Sequence, residues 1–304
     1  MSPRSARPRD TTSSSGSIDP AVPDSTSLEA AAPVEAAASA GPVEPPLSEP
    51  PGAPPVEPAA ADSSAPPAVH FQISRWKKGD LGPHYDEFDV QLGPGATVLD
   101  GLLEIRRGQD PSLVVRHSCL HASCGTCGVR VNGRESLACD TRIVGLPPEK
   151  PVRVEPLANQ RPVSDLATDM VDFYARFDSV GLPAVRAAEV AGVTPPENVK
   201  AFGRFENCIE CGLCLSACPI ARTSQEFIGP AALAAAARVV KEPRGHGLGP
   251  VLGLASEPDS VWRCHDALEC TAVCPSAVDP AAALLELRRH IAATALKRLL
   301  RRGV

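Results

Sequence analysis

Four cysteines, Cys119, Cys124, Cys127 and Cys139, are spaced C-x4-C-x2-C-x11-C, and four more, Cys208, Cys211, Cys214 and Cys218, read C-x2-C-x2-C-x3-C-P. Cys264, Cys270 and Cys274 follow as C-x5-C-x3-C-P, and no cysteine of the eleven lies outside these runs. The first pattern is the plant-type [2Fe–2S] spacing and the second the bacterial cubane spacing. Both kinds in series in one chain describe a wire for single electrons. In the first loop, Gly125 and Gly128 let the backbone come close enough for amide N–H groups to point at the sulfurs. A structural zinc site usually takes two short cysteine pairs, a form the C-x4-C-x2-C triple fits poorly.

Where two cubanes are present, the cysteine before proline ligates the cluster of the other run. Cys208, Cys211 and Cys214 therefore share a [4Fe–4S] cluster with Cys274, and Cys218 joins Cys264 and Cys270. A second full cubane would need a cysteine where Ala267 stands. Three thiolates and one open corner suit [3Fe–4S]. The alternative is a [4Fe–4S] cluster whose open corner takes water or a carboxylate, with Asp266 and Glu269 nearby in sequence.

The elements that must position these loops can be read from periodicity. Val69, Phe71 and Ile73 alternate with polar residues as in a half-buried strand, and so do Phe88, Val90 and Leu92. Gly79-Asp80 and Gly82-Pro83 turn between them, making a hairpin. From Thr97, a possible N-cap, the residues Val98, Leu99, Leu102, Leu103 and Ile105 line one helical face. Asn132-Gly133 is a type I′ hairpin signal between Gly128–Val131 and Arg134–Ala138, and Val152–Val154 closes the sheet. These elements describe a β-grasp. After Pro162 the strand signals stop. Leu166, Met170, Phe173 and Phe177 form a helical stripe, Ala231–Val239 is helix-prone, and Asp279-Pro280 opens a helix running towards Leu300. The fold class expected is α+β. The boundaries are 1–69 for a Pro/Ala-rich tail, 70–162 for a [2Fe–2S] ferredoxin domain and 163–304 for an α-helical two-cluster ferredoxin domain.

The 304 residues carry 43% hydrophobic but only 4% aromatic residues, and 33 prolines. Residues 1–70 hold no Phe, Trp, Tyr or Cys and are expected to be disordered, because such a segment buries too little apolar area to offset its ordering entropy. A transit peptide is the competing reading of the early Arg4, Arg7 and Arg9, set against by Asp10, Asp19, Asp24 and Glu29. No run approaches the ~20 apolar residues of a membrane span. A net charge of −6 argues against nucleic acid as partner. Many cysteines without a secretory signal point to metal ligation in a reducing compartment.

The whole set resembles the iron–sulfur subunit of succinate dehydrogenase and fumarate reductase over residues 70–295. The resemblance is carried by Cys119–Cys127, by Asn132-Gly133 before Leu137-Ala138-Cys139, by Cys208–Pro219, by Glu226–Ala232 and by Cys264-His265 through Cys274-Pro275. It implies a middle subunit passing electrons between the FAD of a flavoprotein subunit and a membrane quinone, with the dicarboxylate active site on the other chain. It also implies membrane anchor subunits, with haem b a cofactor of such anchors, and a peripheral position on the cytoplasmic face of a bacterial inner membrane. Pro219 and His265 are the quinone-proximal residues by this resemblance. The family's ubiquinone-using members have a tryptophan shortly after the Cys-Pro. Here Pro219-Ile-Ala-Arg-Thr-Ser-Gln has none, which favours menaquinone. Arg222 or Thr223 would replace a polar contact there. Arg288, Arg289, Lys297, Arg298, Arg301 and Arg302 make the last helix basic, suiting an anionic membrane face or plain solvent. Two competing classes are an iron–sulfur subunit of another quinol- or thiol-linked reductase and a zinc-stabilised assembly protein. The first tends to carry two complete cubane runs and C-C-G modules, which this chain lacks.

Overall fold

The computed structural model describes residues 68–181, 205–242 and 247–302. The tail and its competing reading as a transit peptide lie outside the described residues. Strands β1 (Ala68–Arg75) and β2 (His84–Gln91) pair antiparallel, Ala68 opposite Gln91 and Arg75 opposite His84. Phe71 and Ile73 are fully buried, so the alternation reads out the inner face. Helix α1 (Val98–Gly108) packs Val98, Leu99, Leu102 and Ile105 on that face. Thr97 caps it with a reciprocal box, its Oγ1 accepting from Asp100 N at 3.3 Å while its own N donates to Asp100 Oδ2 at 2.8 Å.

Strands β3 (Gly128–Val131) and β4 (Arg134–Leu137) form the second hairpin. Asn132 and Gly133 both take positive φ, 50° and 83°, as a type I′ turn requires. Strand β5 (Val152–Glu155) lies between the hairpins, parallel to β1 and antiparallel to β3, giving the order β2-β1-β5-β3-β4. The sheet and α1 make the β-grasp.

Strand pairing continues past Pro162, contrary to the sequence signal. Strands β6 (Pro162–Ser164) and β7 (Ala167–Thr168) form a small ladder, and Leu166 is buried in the β-grasp core instead of on a helix. The cause is Asp165. Its backbone is left-handed, at φ 44°. Its fully buried carboxylate accepts from Arg75 Nε at 3.1 Å, Trp76 N at 3.2 Å and Val114 N at 2.8 Å. Arg75 also pairs with Asp86 at 3.0 Å and with Asp110. This pin clamps the chain to the sheet before the helices begin.

Helix α2 (Val171–Val180) keeps the rest of the expected stripe, with Met170 preceding it and Phe173 and Phe177 packed 5.2 Å apart. The cysteine runs carry only short helices: α3 (Leu213–Ala217), α4 (Pro219–Thr223) and α7 (Glu269–Ala272). Between them run α5 (Pro230–Lys241) and α6 (Gly249–Ser256), and α8 (Pro280–Arg302) ends the described chain. In α5 the residues from Pro230 to Ala237 are all buried. Alanines there let α8 lie close against it. Asp279 caps α8, its Oδ1 accepting from Ala282 N at 3.2 Å and from Thr271 Oγ1 at 2.8 Å.

Candidate metal centres

The first cysteine loop joins α1 to β3 and turns through left-handed backbone at Leu120, Ala122 and Gly125. Those turns aim amides at sulfur. Cys119 Sγ accepts from Ser123 N at 3.3 Å and Cys124 N at 3.4 Å, and Cys139 Sγ accepts from Ala122 N at 3.2 Å. The His121 amide, and after it the Cys124 side chain and the other amides, pull the Cys119 thiol down to about 6. Cys127 lies inside the loop. Burial pushes its thiol up to about 12, and Cys139 and Cys124 are among the groups that bear on it. Cys119, Cys124, Cys127 and Cys139 thus face one another.

Cys208 and Cys211 sit before α3 and Cys214 within it; Cys274 follows α7. Burial pushes Cys211 up to about 11, with Cys208 and Cys274 adding to the shift. Cys214 is raised well above the ordinary thiol range, by burial first and then by Cys211, Cys270, Cys208 and Cys274. These four cysteines line a cavity of about 400 Å³, open mouth included, walled by Phe173, Leu213, Ala231, Ala234, Pro275 and Val278.

Cys218, Cys264 and Cys270 make the third set. Cys270 is pushed up to about 12, by burial and then by Cys218 and Cys264. Burial raises Cys218 too, against the amides of Ala221 and Ile220. All eleven cysteines are free thiols. Among the described residues no three His, Cys, Asp or Glu side chains are gathered to hold a single metal ion. A cluster spreads its thiolates over two or more irons, so its ligands stand farther apart than those of one zinc. The donor sets, all thiol and ringed by amides or apolar walls, fit clusters.

Several supports have no signal in the cysteine spacing. Asn159, at φ 59°, donates through Nδ2 to Leu215 O, Ser216 O and Cys218 O at 2.9, 2.9 and 3.0 Å, tying down the turn between Cys214 and Cys218. Ser216 Oγ donates to Glu135 Oε1 at 2.9 Å and accepts from Ala158 N at 2.8 Å. Arg134 Nη2 donates to Ala272 O at 3.1 Å, linking β4 to the helix that carries Cys270. Pro219, Arg222, Thr223 and His265 are exposed beside the third set. Trp262, two residues before Cys264, is 45% exposed and Leu268 53%. Their exposure is a tertiary property that spacing does not reveal.

Residues 70–175 match the family description "2Fe-2S iron-sulfur cluster binding domain", and residues 204–278 match "4Fe-4S dicluster domain". The fumarate reductase iron-sulfur subunit of Mycobacterium tuberculosis is 36% identical over 239 residues, covering 76% of this chain and 96% of that protein. The chain belongs to the iron–sulfur subunits of fumarate reductase and succinate dehydrogenase. The fumarate reductase iron-sulfur subunit of Escherichia coli O6:H1 is 34% identical over 209 residues, 67% of this chain and 85% of its own. The solved Mycobacterium smegmatis Sdh1 complex contains a chain that superposes with a TM-score of 0.70 at 26% identity, over 76% of this chain and 98% of that one. This iron–sulfur subunit is therefore the electron-transfer component of an oxidoreductase complex, with 2Fe–2S and 4Fe–4S domains. No helix among its described residues is long and apolar enough to cross a membrane.

Proposed function

We propose that the subunit holds [2Fe–2S] through Cys119, Cys124, Cys127 and Cys139, [4Fe–4S] through Cys208, Cys211, Cys214 and Cys274, and [3Fe–4S] through Cys218, Cys264 and Cys270. When bound, these clusters supply one-electron transfer between the FAD of a flavoprotein subunit and a membrane quinone. The observation that carries the reading is the succession of the three thiol sets. Gly125 of the first loop lies against Cys211 of the second set, where a Cβ on it would come 2.8 Å from Cys211 Cβ. Cys214 of the second set in turn feels Cys270 of the third. Electrons entering at one end have a continuous route to the other.

The chain's own residues shape the two ends differently. Amides around Cys119 and Cys139 stabilise charge on sulfur. Apolar walls around Cys214 exclude water from the middle. Beside the third set, exposed Trp262, His265, Leu268 and Pro219 form a surface suited to membrane anchor subunits and a quinone, with menaquinone favoured by the residues after Pro219. The complex then sits peripherally at the cytoplasmic face of the membrane through its anchors.

Low-temperature EPR on the native membrane complex tests this function. Succinate is expected to remove an oxidised three-iron signal and raise a reduced [2Fe–2S] signal; a three-iron signal indifferent to succinate defeats the dicarboxylate assignment. Ala267→Cys tests the ligand sets. It supplies the missing thiolate, so the three-iron signal is expected to vanish and quinone reduction to slow. Survival of that signal would show the grouping to be wrong.

A further inference from the structure

Asp266 is a conspicuous group beside the open corner. It adjoins Ala267, where the fourth thiolate is missing, and its left-handed backbone (φ 57°) turns both its amide and its carboxylate towards Cys264. Asp266 N lies 3.5 Å and Oδ1 3.6 Å from Cys264 Sγ. A carboxylate oxygen is a competent iron ligand.

Arg288 holds that carboxylate. It reaches in from α8, twenty-two residues along the chain. Its Nε donates to Val261 O at 3.0 Å and its Nη2 to Cys264 O at 2.7 Å. Its Nη1 donates to Asp266 Oδ2 at 3.3 Å, and Nη2 lies 3.3 Å from Asp266 Oδ1. One planar, permanently charged fork thus fixes two carbonyls of the ligand loop and both oxygens of the carboxylate. The side chain is largely buried, 22% exposed, whereas Asp266 is 44% exposed, so the carboxylate has room to turn once released.

We propose that Arg288 is the positioning residue that keeps the third cluster at three irons, by holding both carboxylate oxygens of Asp266 away from the open corner. The inference rests on the assignment of [3Fe–4S] to Cys218, Cys264 and Cys270. Without the arginine, the one-electron-reduced three-iron core, neutral in charge, takes up one ferrous ion. It becomes the 2+ four-iron core with the Asp266 carboxylate on the new iron. The electron comes from the subunit's own donor, the ferrous ion is the added reactant, and an already ionised carboxylate releases no proton.

The test uses the assembled complex as wild type, Arg288→Gln, Asp266→Asn and the double variant. Each is reduced anaerobically with ferrous ion, desalted and reoxidised under argon by a mild quinone. EPR then counts three-iron signal per chain, and iron analysis counts iron. Wild type is expected to keep its signal and nine non-haem irons per chain. Arg288→Gln loses most of the signal and moves towards ten irons, whereas Asp266→Asn and the double variant behave as wild type. A signal retained in Arg288→Gln overturns the proposal, and so does a signal lost equally in the double variant, because Asp266 would then not be the ligand. If Arg288→Gln does not accumulate, Arg288→Lys carries the same comparison, keeping a cation but not the fork. A wild-type complex with no three-iron signal at all refutes the cluster assignment beneath, and is distinguished from failure of the proposal by that control.

Discussion

Cys119 and Cys214 have the same ligating atom and are set in opposite surroundings. Cys119 lies on an open loop where the His121, Ser123 and Cys124 amides converge on its sulfur and pull the thiol down to about 6. Cys214 is enclosed between α2, α3 and α5, where burial and four neighbouring cysteines push it well above the ordinary range. At Cys119 the rim of the first loop is a nest already shaped for negative sulfur before iron arrives, while Cys127 behind it is buried. The second is an apolar box that tolerates four thiolates only when iron neutralises them. Metal loading and folding should therefore be coupled weakly in the β-grasp and strongly in the helical half.

Removing the clusters is the largest way to break this contrast. After anaerobic chelation, hydrogen exchange is expected to leave β1, β3, β5 and α1 protected, because Phe71, Ile73, Leu102, Ile105 and Val154 pack together in a core to which the helical half adds only Leu213 and Val273 among its buried residues. The short helix α7, which holds Cys270 and has no buried residue of its own, should exchange freely, and α3 more slowly because Leu213, Leu215 and Ser216 are buried. Loss of protection in both halves together, or in neither, would show that the surroundings of the sulfurs do not set the coupling.

The β-grasp half can be weakened without touching a sulfur. Asp165→Asn keeps the shape of the buried side chain but removes the charge facing Arg75 Nε. Breaking a buried ion pair costs roughly 3–5 kcal/mol, and the low end applies here because Asp86 and Asp110 still hold Arg75. We expect a loss of about 3 kcal/mol in the urea unfolding of the β-grasp. The EPR signal of the cluster at Cys214 should be unchanged. A shift in that signal would mean that the two halves share one stabilising device.

Asp165 also marks where sequence reading stops working. The alternation at Val69–Ile73, the Asn132-Gly133 turn, the Thr97 cap and the Asp279-Pro280 helix start are local signals, and each appears in the fold. The grouping of thiols into three sets comes from ligand counting, and Ala267→Cys is its test. Leu166 misled because its four-residue spacing from Met170 matches a helical turn by coincidence. What overrides it is a carboxylate paired with an arginine ninety positions earlier. Asn159 and Arg288 escaped for the same reason: they act on carbonyls of distant loops, and no periodicity or motif reports a partner that far along the chain.

The smallest prediction concerns the contact where the two kinds of site meet. Gly125 takes φ 72°, and a Cβ on it would lie 2.8 Å from Cys211 Cβ, 2.8 Å from Ile209 O and 2.9 Å from Cys211 Cα. None of these is the free end of a long side chain, so the second ligand loop itself must move. Gly133 supplies the control. Its φ is 83°, yet nothing lies within 4 Å of where its Cβ would be. Alanine at either position carries the left-handed penalty of roughly 1–2 kcal/mol. Only Gly125→Ala also drives the two loops apart. In the reduced complex, Gly125→Ala should weaken the magnetic interaction between the first two clusters and slow electron transfer between them, while each cluster keeps its own signal. Gly133→Ala should lose similar stability and leave that interaction intact. Equal spectra from the two variants would mean that the loops are held together by their flanking domains and not by the missing side chain. The amide nest and the apolar box would then be independent sites that happen to adjoin.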